Sequence, residues 1–294
     1  MKIMNNLEGQ SSSHVEVPSF LAIPLTLQLT CDKKWRTECS GDTYAQNAEQ
    51  FVHDFFEVKN PTPSESPYLL LPNGFTILMF ILNTQWSNGF MCGTLTAVRQ
   101  IKIPPNATLF CARLKPGTMS KILKHNACDF TDRVVPLPYY FSWANELLRL
   151  LCGTQSYEQR CLLTLAFLSR YWDKNYCIRP AVKDVLDLIH KYKGNVRVFD
   201  ICNMLSQNER SLHKWFSETV GISPKAYVDL VKFLYVLYIT TATPIRRLGD
   251  VPKEFGYVDQ PRMCRAFRKY FGYTAQDILH LDMHELFVPD LFDS

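Results

Sequence analysis

No CxxC pair occurs among the ten cysteines. That absence removes the usual spacing of a zinc ribbon or a thioredoxin-type redox site. No stretch places a general base beside a nucleophilic serine, threonine or cysteine, so nothing points to covalent or acid–base catalysis, and the chain is expected not to be an enzyme. No apolar run reaches the roughly 20 residues of a membrane span. The first twenty residues are polar and lack the apolar core of a secretory leader, so the thiols are expected to be reduced and the protein cytoplasmic. His125 and Cys128 have a spacing that two metal ligands can share. Without further ligands nearby, core-filling is the expectation, with no metal and no cofactor.

Hydrophobic residues make up 47% and charged residues 20% of the 294 positions, an ordinary globular balance for about two domains. The net charge of +4 is unevenly spread. Residues 191–280 hold 14 Lys/Arg against 8 Asp/Glu, residues 281–294 hold none against 4, and residues 1–190 hold 18 against 16. A basic segment followed by an acidic tail is compatible with a polyanionic partner.

Residues 1–17 are polar and read as a flexible tail. From Pro18 to Ser142 short apolar or β-branched runs alternate with Pro, Asn and Gly, as in PYLLLPNGFTILMFILNTQW and GFMCGTLTAVRQIKIP. This predicts a mostly antiparallel sheet or barrel with one short helix near 118–126. From Trp143 the pattern turns helical. Residues 143–194 read as a helical connector, with Pro180 opening a helix whose Val182, Val185, Leu186 and Ile189 share one stripe and Gly194 ending it. Residues 195–280 continue helical, with breaks at 194–197, 206–208, 221–224 and 242–244. The predicted fold is therefore α+β, a β-rich N-terminal domain followed by an all-α domain.

Within the second domain the sequence repeats. NERSLHKWFSETVGISPKAY from Asn208 aligns with DQPRMCRAFRKYFGYTAQDI from Asp259, an offset of 51 residues (259 − 208), pairing Leu212 with Met263, Lys214 with Arg265, Phe216 with Phe267 and Gly221 with Gly272. At about 100° per residue, Met263, Phe267, Tyr270 and Phe271 share one arc of a helix and Arg262, Arg265 and Lys269 the opposite one. In the first copy Leu212, Trp215 and Phe216 lie across from Glu209, Arg210, His213, Lys214 and Ser217. Asn208 and Asp259 suit helix N-caps, and Pro261 suits the first turn, where its missing N–H costs little. A helix docked by its apolar arc with Arg, Lys, His and Gln outward fits a DNA major groove. Arg can take guanine O6 and N7 together, Gln adenine N6 and N7, and further Lys/Arg the phosphates. The plainer alternative is a solvated basic face.

These residues resemble the DNA-binding module of AraC/XylS-type bacterial transcription regulators. Gly256, Tyr257, Asp259, Gln260, Arg265, Phe267, Arg268 and Gly272 match that family's second-half signature, and Arg210, Leu212, Phe216, Gly221 and Pro224 its first half. Four positions depart from the pattern: Ala275 stands for proline, Pro252 for a small residue, and Lys214 and Lys232 for arginine. Pro252 is accommodated if its helix starts late, with Asp250 as cap. The resemblance implies a double helix-turn-helix joined by the apolar segment YVDLVKFLYVLYITT. It implies double-stranded DNA and RNA polymerase as partners, with DNA contact by Arg210, His213, Lys214, Gln260, Arg262, Arg265, Arg268 and Lys269. Upstream, FCARLKPGTMSKIL and FTDRVVPL are similar to the sensor domain of one subgroup at Arg113, Pro116, Gly117, Thr131 and Asp132, which implies a β-rich companion domain but no particular ligand; a small-molecule effector and homodimerisation through that domain are both left open as its means of control. Arg113 either meets a carboxylate ligand or braces the Pro116–Gly117 turn, and the turn is the expectation. Trp35, Trp86 and Phe110 are expected mostly in the core. An AraC-like module that has lost specific DNA binding and works through protein contacts is the alternative reading, and the acidic tail, with Leu286, Phe287, Leu291 and Phe292, belongs to it.

Overall fold

Strand pairing dominates the first half of the chain. The computed structural model describes residues 28–31, 51–123, 125–171, 178–242, 257 and 259–273. The strands are β1 (Gln28–Cys31), β2 (Val52–Asn60), β3 (Ser66–Leu70), β4 (Thr76–Leu82), β5 (Ser87–Cys92), β6 (Arg99–Ile103), β7 (Ala107–Leu114) and β8 (Val134–Pro136). Six of them form one antiparallel sheet in the order β1-β2-β7-β4-β5-β8, and β3 pairs with β6 as a separate ribbon. The ribbon covers one face of the sheet, where Phe56, Ile77, Met79, Leu109 and Cys111 meet Tyr68, Leu70, Ile101 and Ile103. Two helices, α2 (Ala144–Cys152) and α3 (Tyr157–Tyr171), cover the other, packing Leu147, Leu151, Cys161 and Leu165 on Phe55, Phe80, Phe110 and Ala112. Burial on both faces is why β4 reads TILMFIL, without polar alternation. The short helix expected near 118–126 is α1 (Met119–Leu123), followed by a 3-10 turn at Ala127–Phe130.

The β2–β7 register sets Asp54 opposite Arg113. The two side chains form a buried, two-pronged ion pair, Nε to Oδ1 at 2.5 Å and Nη2 to Oδ2, and the guanidinium also lies over the Phe56 and Phe75 rings at 5.4 and 5.7 Å. Arg113, expected at the Pro116–Gly117 turn, is thus a cross-strand partner. On the other face Arg160 of α3 pairs with buried Glu57.

The second half is helical: α4 (Pro180–Lys191), α5 (Val198–Met204), α6 (Glu209–Val220), α7 (Pro224–Ala242) and α8 (Gln260–Phe271) share one core. The 143–194 segment divides between the two cores, α2 and α3 lying on the sheet and α4 with the later helices. The apolar joining segment is α7, with Val228, Val231, Phe233, Leu234 and Leu237 buried. Pro252, Ala275, Trp35 and both chain ends lie outside the described residues. No helix of the described residues is long and apolar enough to cross a membrane.

His190 at the end of α4 shares a 2.9 Å hydrogen bond with the Tyr227 hydroxyl of α7. Burial lowers its pKa from 6.5, against a smaller opposing pull from Asp187. The folded protein therefore binds this proton less readily than the unfolded chain, and stability is lost as pH falls from about 6.5 through the depressed folded value. Urea titrations between about pH 7.5 and 5 should show that loss, and His190→Gln should flatten it.

Candidate nucleic-acid interface

The helices α6 and α8 are built alike. Asn208 caps α6, its side chain accepting from Ser211 N at 3.1 Å, and Asp259 caps α8, accepting from Arg262 N at 2.8 Å. Each helix closes on a left-handed glycine, Gly221 at φ 99° and Gly272 at φ 84°, a conformation that L side chains adopt only with strain. Leu212, Phe216 and Val220 are buried beneath α6, and Met263, Phe267, Tyr270 and Phe271 beneath α8. Trp215 is half-buried and carries the Arg179 guanidinium 4.5 Å above its ring. The linking helix α7 serves both: Tyr227 meets Phe216 edge-on at 5.5 Å, and Phe233 lies 5.1 Å from the rings of both Phe267 and Tyr270.

Burial of these arcs turns the other arcs outward. Arg210, His213 and Lys214 on α6 are exposed, as are Gln260, Arg262, Arg265, Arg268 and Lys269 on α8. All eight side chains expected at an interface are therefore at the surface, in two groups on equivalent helices. Two of the cations have acidic neighbours within their own helix, Lys214 with Glu218 at 4.0 Å and Arg262 with the cap Asp259 at 3.7 Å. Such exposed contacts are weak. The Lys269 ammonium rests 4.7 Å above the Tyr270 ring, which holds it near the helix stem.

A groove of about 490 Å³ runs beside α6, lined by Asn195, Arg197, Asp200, His213, Lys225 and Lys232 among others. Arg197 is paired with Asp200 at 2.7 Å and Lys225 with Asp229 at 2.6 Å. Desolvation, first, lowers the Lys232 pKa. Arg197 and Lys225 were not singled out by sequence, because only the packing of α5 and α7 beside α6 brings them next to His213.

No group of three or more potential metal ligands occurs among the described residues. Cys128, expected as core filler, is exposed, because the 3-10 turn points Ala127 and Phe130 inward instead. Burial drives the Cys92 thiol up to about 12 and Cys111 well above its ordinary value, so neither is a thiolate near neutrality.

A family profile described as a helix-turn-helix domain matches residues 201–280, which spans α6, α7 and α8. The chain carries an AraC-type helix-turn-helix domain. Ahead of this AraC-type domain, residues 45–136 match a domain of unknown function (DUF6597). The chain is 26% identical over 106 residues to the lactose operon transcription activator of Staphylococcus xylosus. That match covers 35% of this chain and 37% of the activator's length. Two solved structures of ToxT from Vibrio cholerae are also similar. One has a TM-score of 0.43 at 9% identity, covering 77% of this chain and 98% of that one, and the other a TM-score of 0.41 at 9% identity, covering 87% and 97%.

Proposed function

We propose that the protein is a cytoplasmic, sequence-specific DNA-binding transcription regulator whose α6 and α8 enter successive major grooves on one face of the duplex. The observation that carries this reading is the duplication in three dimensions: two helices with the same kind of cap, the same buried arc and the same glycine stop, both turning cationic side chains outward. A single basic face is commonplace. Two equivalent ones joined by a shared helix suit a ligand that repeats, as the major groove does about every 34 Å.

In this reading Arg262, Arg265 and Gln260 face base edges of one groove, and Arg210, His213 and Lys214 those of the other. Arg268 and Lys269 sit where phosphates pass. Lys214 supplies charge without a paired fork of donors, so the α6 half reads sequence less sharply than the α8 half. The β-rich domain is the regulatory half, controlled by a small molecule or by self-association, and RNA polymerase is the expected protein partner at a promoter.

Arg262→Ala tests the base-reading role. Loss of a bidentate guanine contact should weaken binding to the preferred sequence by about 1–3 kcal/mol and relax the preference at one position. Mobility shifts on the preferred duplex and on single-position variants measure both. Unchanged affinity together with unchanged preference removes Arg262 from the base-reading set.

A further inference from the structure

The β-rich domain meets the helical domain at the same structural point of both repeats. The segment 93–98, between β5 and β6, supplies both contacts. Thr94, itself buried, donates from Oγ1 to the Val220 carbonyl at 2.7 Å, at the C-terminal end of α6. Val98, four residues on, packs against the helical core, and a Cβ placed on Gly272 would come 3.2 Å from its Cγ1. Gly221 and Gly272, the two glycine stops, are equivalent positions of the repeat.

A second segment doubles the hold on α6. Thr131 donates to the Gly221 carbonyl at 2.5 Å, and a Cβ on Gly221 would stand 3.2–3.3 Å from Thr94 Oγ1, the Ala127 carbonyl and Thr131 Oγ1. Asp132, in the left-handed region at φ 57°, ties the two segments together by accepting from Thr96 N at 2.7 Å and Thr96 Oγ1 at 2.6 Å, while its own N–H donates to the Thr94 carbonyl at 3.1 Å. The last carbonyls of a helix have no partner within it. Here hydroxyls from the other domain supply two. None of these contacts covers the outward face of α6 or α8, where the eight candidate side chains remain exposed.

We propose that residues 93–98, braced by Thr131 and Asp132, form a gauge through which the β-rich domain fixes the separation of the two recognition helices. The docked arrangement is then the DNA-ready one. Whatever the β-rich domain senses acts by tightening or releasing the two glycine stops, not by masking the basic faces. The functional half of this statement rests on the DNA-binding reading above, whereas the mechanical half does not.

The test uses the full chain and the variant Thr94→Val/Thr131→Val, which keeps shape and removes both hydroxyls. Thr94→Ser/Thr131→Ser, which keeps them, is the control. Hydrogen–deuterium exchange without DNA should be about tenfold faster over residues 217–222 in the valine variant, faster also over 271–273, and unchanged in the serine variant. Equal exchange in wild type and valine variant overturns the gauge. With DNA, wild type should lose at least about fivefold in affinity when one base pair is inserted between the two half-elements, and the valine variant should lose this discrimination. Discrimination that survives in the valine variant overturns the gauge and leaves α7 alone as the spacer. If wild type binds no duplex at all, the DNA-binding reading fails, and the exchange data still decide the mechanical claim.

Discussion

Raising monovalent salt from about 50 to about 200 mM should weaken binding of this protein to its preferred duplex about a thousandfold. The figure follows from the exposed cations of the two helices. Arg210, Lys214, Arg262, Arg265, Arg268 and Lys269 are six Lys/Arg, all at the surface. If each displaces one condensed counterion, the slope of log affinity against log salt is about −5. Their pairing to Asp and Glu within the helices subtracts little, since exposed pairs of this kind are weak. Lys269→Ala should make the slope shallower by about one while lowering affinity for all sequences alike, whereas a base-reading residue changes preference instead. Titrations by fluorescence anisotropy at four or five salt concentrations give the slope. A value shallower than about −2 means that the two faces do not grip a phosphate backbone together.

Arg113→Ala should destabilise the β-rich domain by about 3–5 kcal/mol, the usual cost of stripping one partner from a buried pair. Asp54 and Arg113 are 0% and 1% exposed, so the carboxylate left behind loses its two-pronged partner inside the domain and keeps His53 Nε2 at 3.7 Å. For a domain of this size the melting temperature should fall by about 10 °C. Replacing both residues, Asp54→Leu with Arg113→Met, removes both charges and keeps the volume, and should cost far less than the single change. Calorimetry on the three proteins separates the two outcomes. A single variant within about 1 kcal/mol of wild type means that the pair is not what holds these strands in register.

Much of the helical half was legible because its chemistry is local. Asn208 and Asp259 announce caps within three residues of the amides they meet, and the 3.6-residue period separates Met263 and Phe267 from Arg262 and Arg265 without any knowledge of what they pack on. The glycines at 221 and 272 mark helix ends for the same reason. The β-rich half was legible only in type. The central strands of its sheet are buried on both faces, so β4 carries no alternation from which to read a face. The Asp54–Arg113 pair spans 59 positions, and only the sheet register brings it together. The division of 143–194 was hidden likewise, since amphipathic helices look alike whether they cover a sheet or a helix bundle. Thr131 and Asp132 stood out by resemblance, but the contact of Thr131 with Gly221, 90 residues away, belongs to the assembled domains.

Two equivalent helices that read one duplex together leave a paired signature in the DNA they select. Selection of bound fragments from a random double-stranded DNA pool, using the full chain, reads that signature. Two short enriched blocks are expected, with centres about 10–10.5 base pairs apart, the block read by α8 the more sharply defined. Enrichment of a single block, or of no sequence at all, means that α6 and α8 do not read one duplex together.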